Sequence, residues 1–430
     1  MIKKTKLASG LTVVTHTNKS VQTMIAAVGV HTGNKNELPQ EIGLSHALEH
    51  CVFKGTKTRS YEDLNNAVES EGADFNAFTS NEQTVYYIKG LKNHLEMAID
   101  ILADQMQNSA FPIEEITKEM GVIVQEIKRS QDNPGNMVHD GFMRAAFKGT
   151  TLANPILGSE EQVMSYTPDD MMAYYKKHYH PSNMILSVAG NVDHKKVVKL
   201  ANKFFKKEDK KFTFKKTPTA KWVPSETLTH TDTKKQVNVM IGWQTSGRKA
   251  TRKQIFSLSL ANFILGSGMS SMLMEEVREK RGLAYSVGSY AESYGEVGYL
   301  AIHGGTDSEK LESFMDAVAL VMRSFDGTVN EAQLKKAKNA YKTSLCSSEE
   351  SIENVAIAMI TGLQNFDKLP DIEAALKMID SVTLKDVKNA MKKLLKNSPA
   401  LSIYGNAPTL ASKKNKVNLK NFEKMLKRNE

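Results

Sequence analysis

The sequence repeats itself, and this repeat restricts the possible folds more than any other feature does. The stretch Gln22 to Gly33 (QTMIAAVGVHTG) is matched by Gln236 to Gly247 (QVNVMIGWQTSG), at an offset of 214 residues that places Gly33 on Gly247. Two further landmarks recur at nearly the same offset: a helix start at Thr167-Pro-Asp-Asp and Thr383-Leu-Lys-Asp, and a strand end at Gly190-Asn191 and Gly405-Asn406. Three landmarks at a nearly constant offset indicate a duplicated domain.

Length and local patterning agree with two domains. A chain of 430 residues is too long for one ordinary hydrophobic core. We predict an N-terminal domain at 1–207, a lysine-rich linker with two prolines at 208–224, and a homologous C-terminal domain at 225–430. Short β-prone runs alternate with amphipathic helical patterns, which predicts an α+β fold in which each domain has an antiparallel-rich sheet with helices packed on it.

The first repeat contains three polar residues inside an apolar, helix-like segment. His46, Glu49 and His50 form a His-x-x-Glu-His run between Gly43 and Thr56. The two histidines are four residues apart, so a helix places both imidazoles on one face. Converging imidazoles can hold a divalent metal, and a nearby carboxylate can take a proton from metal-bound water. The order of residues is the inverse of the His-Glu-x-x-His motif of zinc proteases.

A buried histidine is more often a hydrogen-bonded core residue than a metal ligand, and the repeat offers a test of that alternative. At the offset of 214, the polar triad corresponds to Leu260, Phe263 and Ile264. The fold therefore does not require polar side chains at these positions. Because unpaired polar groups are costly to bury, the comparison favours a functional role for the triad.

Glu126 is the best candidate for a third ligand, since a catalytic zinc usually has three ligands from the protein. It lies beside Ile123 and Ile127, at the edge of the apolar stripe of a helix predicted to begin at Pro112. Glu119 lies two turns earlier on the same face. For either glutamate alone, an exposed position or an ion pair with lysine is a reasonable alternative.

Together these residues resemble the pitrilysin/insulinase family of zinc peptidases, and the bacterial processing-peptidase-like branch related to the mitochondrial processing peptidase beta subunit is the most similar. The resemblance runs from near residue 5 to near residue 408. Besides His-x-x-Glu-His at 46–50 and Glu126, it is carried by the following stretches: Gly43-Leu-Ser-His, Phe53-Lys-Gly-Thr56, Gly72-Ala-Asp-Phe-Asn-Ala-Phe-Thr-Ser80, Thr84-Val-Tyr-Tyr87, Gly268-Met-Ser-Ser271 and Arg278-Glu-Lys-Arg-Gly-Leu-Ala-Tyr285.

The resemblance implies a zinc centre in the first domain. His46, His50 and Glu126 would bind one zinc ion per chain, and Glu49 would be the general base that activates the zinc-bound water. Glu119 matches a glutamate of the catalytic site that orients a ligand and tunes the metal.

The resemblance also implies substrate-binding residues in both domains. Asn76 and Ala77 match the Asn-Ala of an edge strand that pairs with the substrate backbone. Arg278 and Tyr285 match a catalytic and substrate-binding pair that stabilises the substrate carbonyl and the oxyanion. The second domain would have no metal ligands.

The expected function is that of a zinc metalloendopeptidase that hydrolyses peptides or exposed leader segments inside an enclosed chamber. Family members enclose the chamber with four such domains, so a chain with two implies a homodimer or a heterodimer with an inactive paralogue. The alternative is a non-catalytic scaffold or partner subunit similar to respiratory core proteins.

Composition limits the other partners. The net charge is +9, but the lysines and arginines are spread along the chain without a nucleic-acid-binding motif, so we expect no nucleic acid partner. Two cysteines give no disulfide framework and indicate a reducing compartment. Neither a signal peptide nor an 18-residue apolar run is apparent, so we expect a cytoplasmic protein without membrane association.

Overall fold

The computed structural model describes residues 1–206, 220–232, 236–411 and 417–428. These residues fall into two compact units. The first unit comprises the described residues of Met1–Lys128, Pro155–Thr217 and Ser347–Pro370, and the second those of Arg129–Asn154, Pro218–Cys346 and Asp371–Glu430. Helices and strands alternate in both units, which confirms the predicted α+β class.

The first unit is built on a six-stranded sheet. Its strands are β1 (Ile2–Lys6), β2 (Thr12–Thr17), β3 (Thr23–Val30), β4 (Asp74–Thr79), β5 (Thr84–Leu91) and β6 (Met184–Gly190). Their order is β1-β2-β6-β3-β5-β4, and all neighbouring pairs are antiparallel except β2 and β6. Strands β3 and β6 lie in the middle and are buried along almost their whole length, whereas β4 forms one edge.

The first half of the chain contains eight α-helices among its described residues. They are α1 (Leu44–Val52), α2 (Tyr61–Glu69), α3 (Leu95–Asn108), α4 (Ile113–Asp132), α5 (Pro134–Ala146), α6 (Glu160–Ser165), α7 (Pro168–His178) and α8 (His194–Phe204). All of them except α5 contribute apolar side chains to one core on one face of the six-stranded sheet.

The second unit is built on a five-stranded sheet. Its strands are β7 (Glu226–His230), β8 (Val237–Thr245), β9 (Ala284–Tyr294), β10 (Val297–Thr306) and β11 (Ala400–Gly405), in the order β7-β11-β8-β10-β9. The described helices of this half are α9 (Arg252–Gly266), a π-helical segment at Met274–Lys280, α10 (Leu311–Thr328), α11 (Glu331–Glu350), α12 (Ile352–Phe366), α13 (Ile372–Ser381), α14 (Leu384–Leu394) and α15 (Leu419–Leu426).

The two sheets repeat one topology, as the offset predicts. Strand β7 is parallel to β11 just as β2 is parallel to β6, and the remaining pairs correspond in order and direction. Thr167 and Thr383 each cap their helix through a capping box. Gly190 and Gly405 end their strands with φ of 118° and 142°, where any Cβ atom would overlap a backbone carbonyl at the start of the neighbouring strand. Only glycine fits both positions.

Each sheet is covered on its other face by a helix from the opposite repeat. Helix α12 packs on β3 and β6 of the first unit, where the hydroxyl of Ser187 donates a hydrogen bond to the carbonyl of Ala356 at 2.9 Å. Helix α5 packs correspondingly on the second sheet. The compact units are therefore not contiguous stretches of chain. The domain boundaries at 207 and 225 stay a prediction, because much of the linker lies outside the described residues.

Glycine lets these exchanged helices approach the sheets closely. A Cβ atom at Gly29 of β3 would overlap the side chain of Ile360, and one at Gly242 of β8 would lie 2.7 Å from Cζ of Phe142. In both cases the added Cβ atom would be far closer to its neighbour than a normal van der Waals contact allows. Small size at these positions therefore maintains the packing of the exchanged helices.

We predict that Gly29→Ala lowers the free energy of unfolding by about 1–3 kcal/mol, because it overpacks the contact with Ile360. Gly121→Ala is the matched control: no atom lies within 4 Å of a Cβ placed there in α4. That control should raise stability by up to about 1 kcal/mol through helix propensity. Urea unfolding of both variants measures the two effects, and equal midpoints would contradict the close-packing argument.

Candidate metal centre

Helix α1 carries the polar triad on an otherwise apolar helix. Leu44, Ala47, Leu48, Cys51 and Val52 are all buried in the core of the first unit. This packing fixes the rotation of the helix about its axis. The apolar residues face the core, and the remaining arc of the helix presents the triad towards the elements beside it.

The structure brings the three predicted ligands together from two helices. Nε2 of His46 lies 3.4 Å from Oε2 of Glu126, and Nε2 of His50 lies 3.5 Å from the same oxygen. The two imidazole centroids are 4.7 Å apart. One ligand atom from each residue falls within 4.8 Å of the others, and the described residues contain no second such group of His, Cys, Asp or Glu.

These distances fit a tetrahedral zinc ion. Ligand atoms about 2.1 Å from zinc at tetrahedral angles are about 3.4 Å from one another. The separations from Glu126 to His46 and His50, 3.4 and 3.5 Å, match that value closely. Two imidazole nitrogens and one carboxylate oxygen are also a donor set that catalytic zinc uses, with one position left for water.

Glu119 orients one of the histidines. Its Oε1 lies 2.8 Å from Nδ1 of His50, and its Oε2 lies 2.6 Å from Nζ of Lys54. A proton on Nδ1 donated to this carboxylate leaves Nε2 of His50 with its lone pair towards Glu126. Burial of Glu119 alone would raise its pKa, but the bonds from His50 and Lys54 outweigh burial and hold the pKa below its ordinary value. Glu119 therefore stays charged and fixes the ring of His50.

Glu49 is not one of the three predicted ligands, and a residue of another element binds its carboxylate. It is 9% exposed, and its Oε2 accepts a hydrogen bond of 2.5 Å from the hydroxyl of Thr79 on β4. Burial raises the pKa of Glu49, and the negative charge of Glu126 adds to that rise, although Thr79 and His50 partly oppose it. A carboxylate with a raised pKa is a suitable acceptor for a proton from water.

The two histidines differ in their electrostatics. Burial, followed by the charge of His50, lowers the pKa of His46 to about 3, so that this ring is neutral. Burial also acts to lower the pKa of His50, but the hydrogen bond to Glu119 and the charges of Glu126 and Glu49 outweigh it and raise the pKa. Only His50 must therefore lose a proton near neutral pH before it can bind a metal.

Asn76 and Ala77 lie on β4, the edge strand of the first sheet. On one side β4 pairs with β5, where Ala77 stands opposite Tyr86. The N–H of Ala77 donates to Oδ1 of its neighbour Asn76 at 2.8 Å. Thr79, the partner of Glu49, ends the same strand. One edge strand thus carries both the backbone suited to pairing with a peptide and the group that holds Glu49.

Arg278 and Tyr285 lie together in the second unit. Arg278 belongs to the π-helical segment and Tyr285 to the start of β9, and the guanidinium carbon lies 5.0 Å from the centroid of the tyrosine ring. Tyr285 is 81% exposed, which is unusual for a large aromatic side chain. The pair is positioned to contact a ligand from solvent.

Two contributors to the site are not identified by reasoning from the sequence. Lys54 and Thr79 occur in stretches that carry the family resemblance, Phe53-Lys-Gly-Thr56 and Gly72 to Ser80, yet neither has a predicted role. Their positions give no local signal, because a lysine after a helix and a threonine at a strand end are both common on surfaces. Only the tertiary structure shows that they contact Glu119 and Glu49.

Two family models match successive parts of the chain. Residues 12–160 match the model described as Insulinase (Peptidase family M16), and residues 165–341 match the one described as Peptidase M16 inactive domain. A curated Rickettsia felis protein described as an uncharacterized zinc protease is 33% identical over 402 residues, which cover 93% of this chain and 96% of that protein. The chain belongs to the insulinase family.

Further insulinase-family relatives match over nearly their whole length. A Bacillus subtilis protein described as an uncharacterized zinc protease is 32% identical over 95% of this chain and 100% of its own. Among solved structures, a Helicobacter pylori protease superposes with a TM-score of 0.86 at 23% identity, covering 94% of this chain and 99% of that one. This confirms the fold. In the parts of the chain that the structure describes, no helix is both long and apolar enough to cross a membrane.

We predict that zinc affinity falls about tenfold per pH unit as the pH drops below the raised pKa of His50, because one proton then competes with the metal. The decline should begin above pH 6.5, the ordinary pKa of histidine. His46 adds no second proton, because its pKa is about 3. Competition titrations with a zinc chelator over a pH series measure the slope.

Glu119→Gln is the diagnostic variant for this pH dependence. It removes a group that raises the pKa of His50, so the decline should begin at a lower pH. A hundredfold loss per pH unit in the wild type, or an onset that Glu119→Gln leaves unchanged, would contradict the assignment to His50.

Proposed function

We propose that this protein is a zinc metalloendopeptidase whose metal ligands are His46, His50 and Glu126. The observation that carries the proposal is the convergence of these three side chains at separations suited to tetrahedral zinc, with the buried carboxylate of Glu49 beside them. The zinc protease relatives support it. One zinc ion per chain is expected, because the second repeat has Leu260, Phe263 and Ile264 at the corresponding positions.

Glu49 acts as the general base and then as the general acid. When bound, zinc acts as a Lewis acid that lowers the pKa of a water and polarises the scissile carbonyl. Glu49 takes the proton as the water oxygen bonds to the carbonyl carbon. It then donates that proton to the amine as the carbon–nitrogen bond breaks. Thr79 holds the carboxylate in place during both transfers.

Glu119 and Lys54 tune the centre without contacting the substrate. The carboxylate of Glu119 fixes the ring of His50 and increases the basicity of its free nitrogen. Lys54 neutralises the second oxygen of Glu119, which offsets the cost of burying this carboxylate.

The substrate is a peptide in extended conformation. Asn76 and Ala77 on the edge strand offer backbone groups for strand addition, which recognises the main chain whatever the side chains are. Arg278 and Tyr285 supply a cation and a hydroxyl suited to a substrate carbonyl and to the oxyanion. The substrates are unfolded peptides or exposed leader segments.

The working assembly is a dimer that encloses a chamber, formed with a second copy of this chain or with an inactive paralogue. Two repeats per chain would then supply the four domains of such a chamber. The cytoplasmic location stays a prediction that depends on the low cysteine content.

We predict that Glu49→Gln retains one zinc per chain and lowers the rate of peptide cleavage by about 10²–10⁴-fold, because the amide cannot accept the proton. The measurements are metal analysis of the purified protein and hydrolysis of a quenched peptide library. Glu96→Gln, which alters an exposed ion pair with Lys203, is the matched control and should cleave at the wild-type rate.

The outcome also separates the enzyme from a scaffold. A wild-type protein that binds zinc but cleaves no peptide in the library would support a non-catalytic partner subunit. Undiminished cleavage by Glu49→Gln, or a wild-type protein that never takes up zinc, would refute the proposed mechanism.

We predict that Ala77→Pro raises KM about fivefold with a smaller change in kcat, because proline has no N–H to donate to a substrate backbone. A single lost hydrogen bond is worth about 1 kcal/mol. The N–H of Ala77 donates to the side chain of Asn76, and an edge strand is the part of a sheet that tolerates proline. Ala77→Ser keeps the N–H and serves as control. Equal KM values for the two variants would exclude strand addition at this residue.

A further inference from the structure

The connection that leads into the metal-binding helix is longer than its counterpart in the second repeat. Residues 31–43 join β3 to α1, whereas residues 246–251 alone join β8 to α9. Helix α9 is the counterpart of α1 and has no metal ligands. At the offset of 214, residues 38–43 correspond to residues 252–257, which are the first residues of α9. The two repeats therefore have equal numbers of residues here, but these residues form α-helix only in the second repeat. Glu37 corresponds to Thr251, the N-cap residue of α9.

Glu37 is buried against the start of α1. It is 2% exposed, and its two carboxylate oxygens accept separate backbone hydrogen bonds. Oε1 accepts from the N–H of Ser45 at 2.7 Å, and Oε2 accepts from the N–H of Gly43 at 2.9 Å. These N–H groups lie at the helix N-terminus, where no intrahelical acceptor exists. A negative charge there also interacts favourably with the helix dipole.

A residue of α7 and the residue that follows α6 also hold the first turn of α1 and the connection that precedes it. The hydroxyl groups of Ser45 and Tyr174 are 2.8 Å apart, and that of Tyr174 lies 3.1 Å from the hydroxyl of Thr32. The hydroxyl of Tyr166 donates to the carbonyl of Ile42 at 2.7 Å. All these residues lie in the first unit. The first turn of α1 is thus tied to its surroundings by hydrogen bonds that converge on Glu37 and Ser45.

A buried carboxylate in this position is unfavourable by itself. Among the described residues, no lysine or arginine forms an ion pair with Glu37; the nearby Lys177 pairs instead with Glu41, at 2.8 Å. Burial raises the pKa of Glu37 to about 7, with the like charge of Glu41 adding a little, although the bonds from Ser45 and Gly43 oppose the shift. The second repeat has the uncharged Thr251 at the corresponding position, where its side chain accepts a hydrogen bond from the N–H of Gln254. The fold itself therefore does not require a buried carboxylate there.

We propose that Glu37 is a positioning residue of the metal centre, which sets the location of α1 relative to α4 so that His46 and His50 meet Glu126. Ser45 directly precedes His46, and α1 has only nine residues, so a displacement of its first turn moves the ligands. Glu126 comes from a different helix and does not follow that movement. This inference depends on the proposed zinc-binding function and names the group that prepares the site for it.

The test compares Glu37→Gln and Glu37→Asp in the full chain. An amide has one acceptor oxygen, so the glutamine side chain leaves one of the two N–H groups without its bond. We expect zinc affinity to fall about 10–100-fold, the size of effect seen when outer-shell partners of metal ligands are removed. In the metal-free protein, the amide that loses its acceptor, that of Gly43 or of Ser45, should exchange hydrogen about fivefold faster, since a hydrogen bond contributes about 1 kcal/mol. Peptide cleavage should show a lower kcat with nearly unchanged KM.

Glu41→Gln is the matched control. Glu41 lies in the same connection, but its carboxylate accepts hydrogen bonds from the N–H of Leu38 and from Lys177 and not from α1. We expect the zinc affinity of this variant to remain within about twofold of the wild type. Glu37→Asp keeps the charge and should recover part of the lost affinity, which a general loss of stability would not do.

The outcomes are distinct. Wild-type zinc affinity in a folded Glu37→Gln, or an equal loss in Glu41→Gln, would overturn the positioning role. If Glu37→Gln does not fold, the test uses Glu37→Asp. Wild-type zinc affinity in Glu37→Asp, together with unchanged hydrogen exchange at Gly43 and Ser45, then overturns the proposal. A wild-type protein that binds no zinc would instead refute the proposed function, so the two failures can be told apart.

Discussion

The metal centre depends on the meeting of two helices at one point. Helix α1 supplies His46 and His50, whose spacing is fixed by the helix itself, while Glu126 arrives from α4. The relative position of the two helices must be held to a few tenths of an ångström, since zinc–ligand distances vary little. Apolar packing alone specifies such a position poorly. The directional hydrogen bonds at the ends and sides of α1 supply the missing precision.

Charged and polar groups around the centre form a chain of contacts. Lys54 contacts Glu119, Glu119 contacts His50, and His50 faces Glu126. The buried carboxylate of Glu119 has a cationic partner in Lys54 and a hydrogen-bonding partner in His50, which makes its burial tolerable. Glu49 has Thr79 as its hydrogen-bond partner, and burial keeps the pKa of Glu49 raised, whereas the bonds from His50 and Lys54 lower the pKa of Glu119. Two buried glutamates in one site thus acquire different properties.

Much of the fold can be predicted from the sequence, because local sequence patterns indicate its strands and helix starts. The repeat predicts equal topologies, the β-prone run at 23–30 predicts the bounds of β3, and the capping boxes at Thr167 and Thr383 mark two helix starts. The helix exchange cannot be anticipated, because the apolar periodicity of α12 shows that one face is buried but not against which sheet. Likewise, nothing near Glu37 in the sequence distinguishes it from a solvated loop residue, since its partners lie on the following helix and its burial depends on α7.

The helix exchange has a consequence for the order of events during synthesis. The face of the first sheet formed by Ile25, Ala27 and Val85 is covered by α12, which is made only after the chain has grown beyond residue 350. At about 5–20 residues per second, the ribosome needs on the order of ten seconds or more to pass from β6 to α12. During that interval the first repeat carries an uncovered apolar face of its sheet. Completion of the unit that holds His46, His50 and Glu126 therefore waits until most of the polypeptide has emerged.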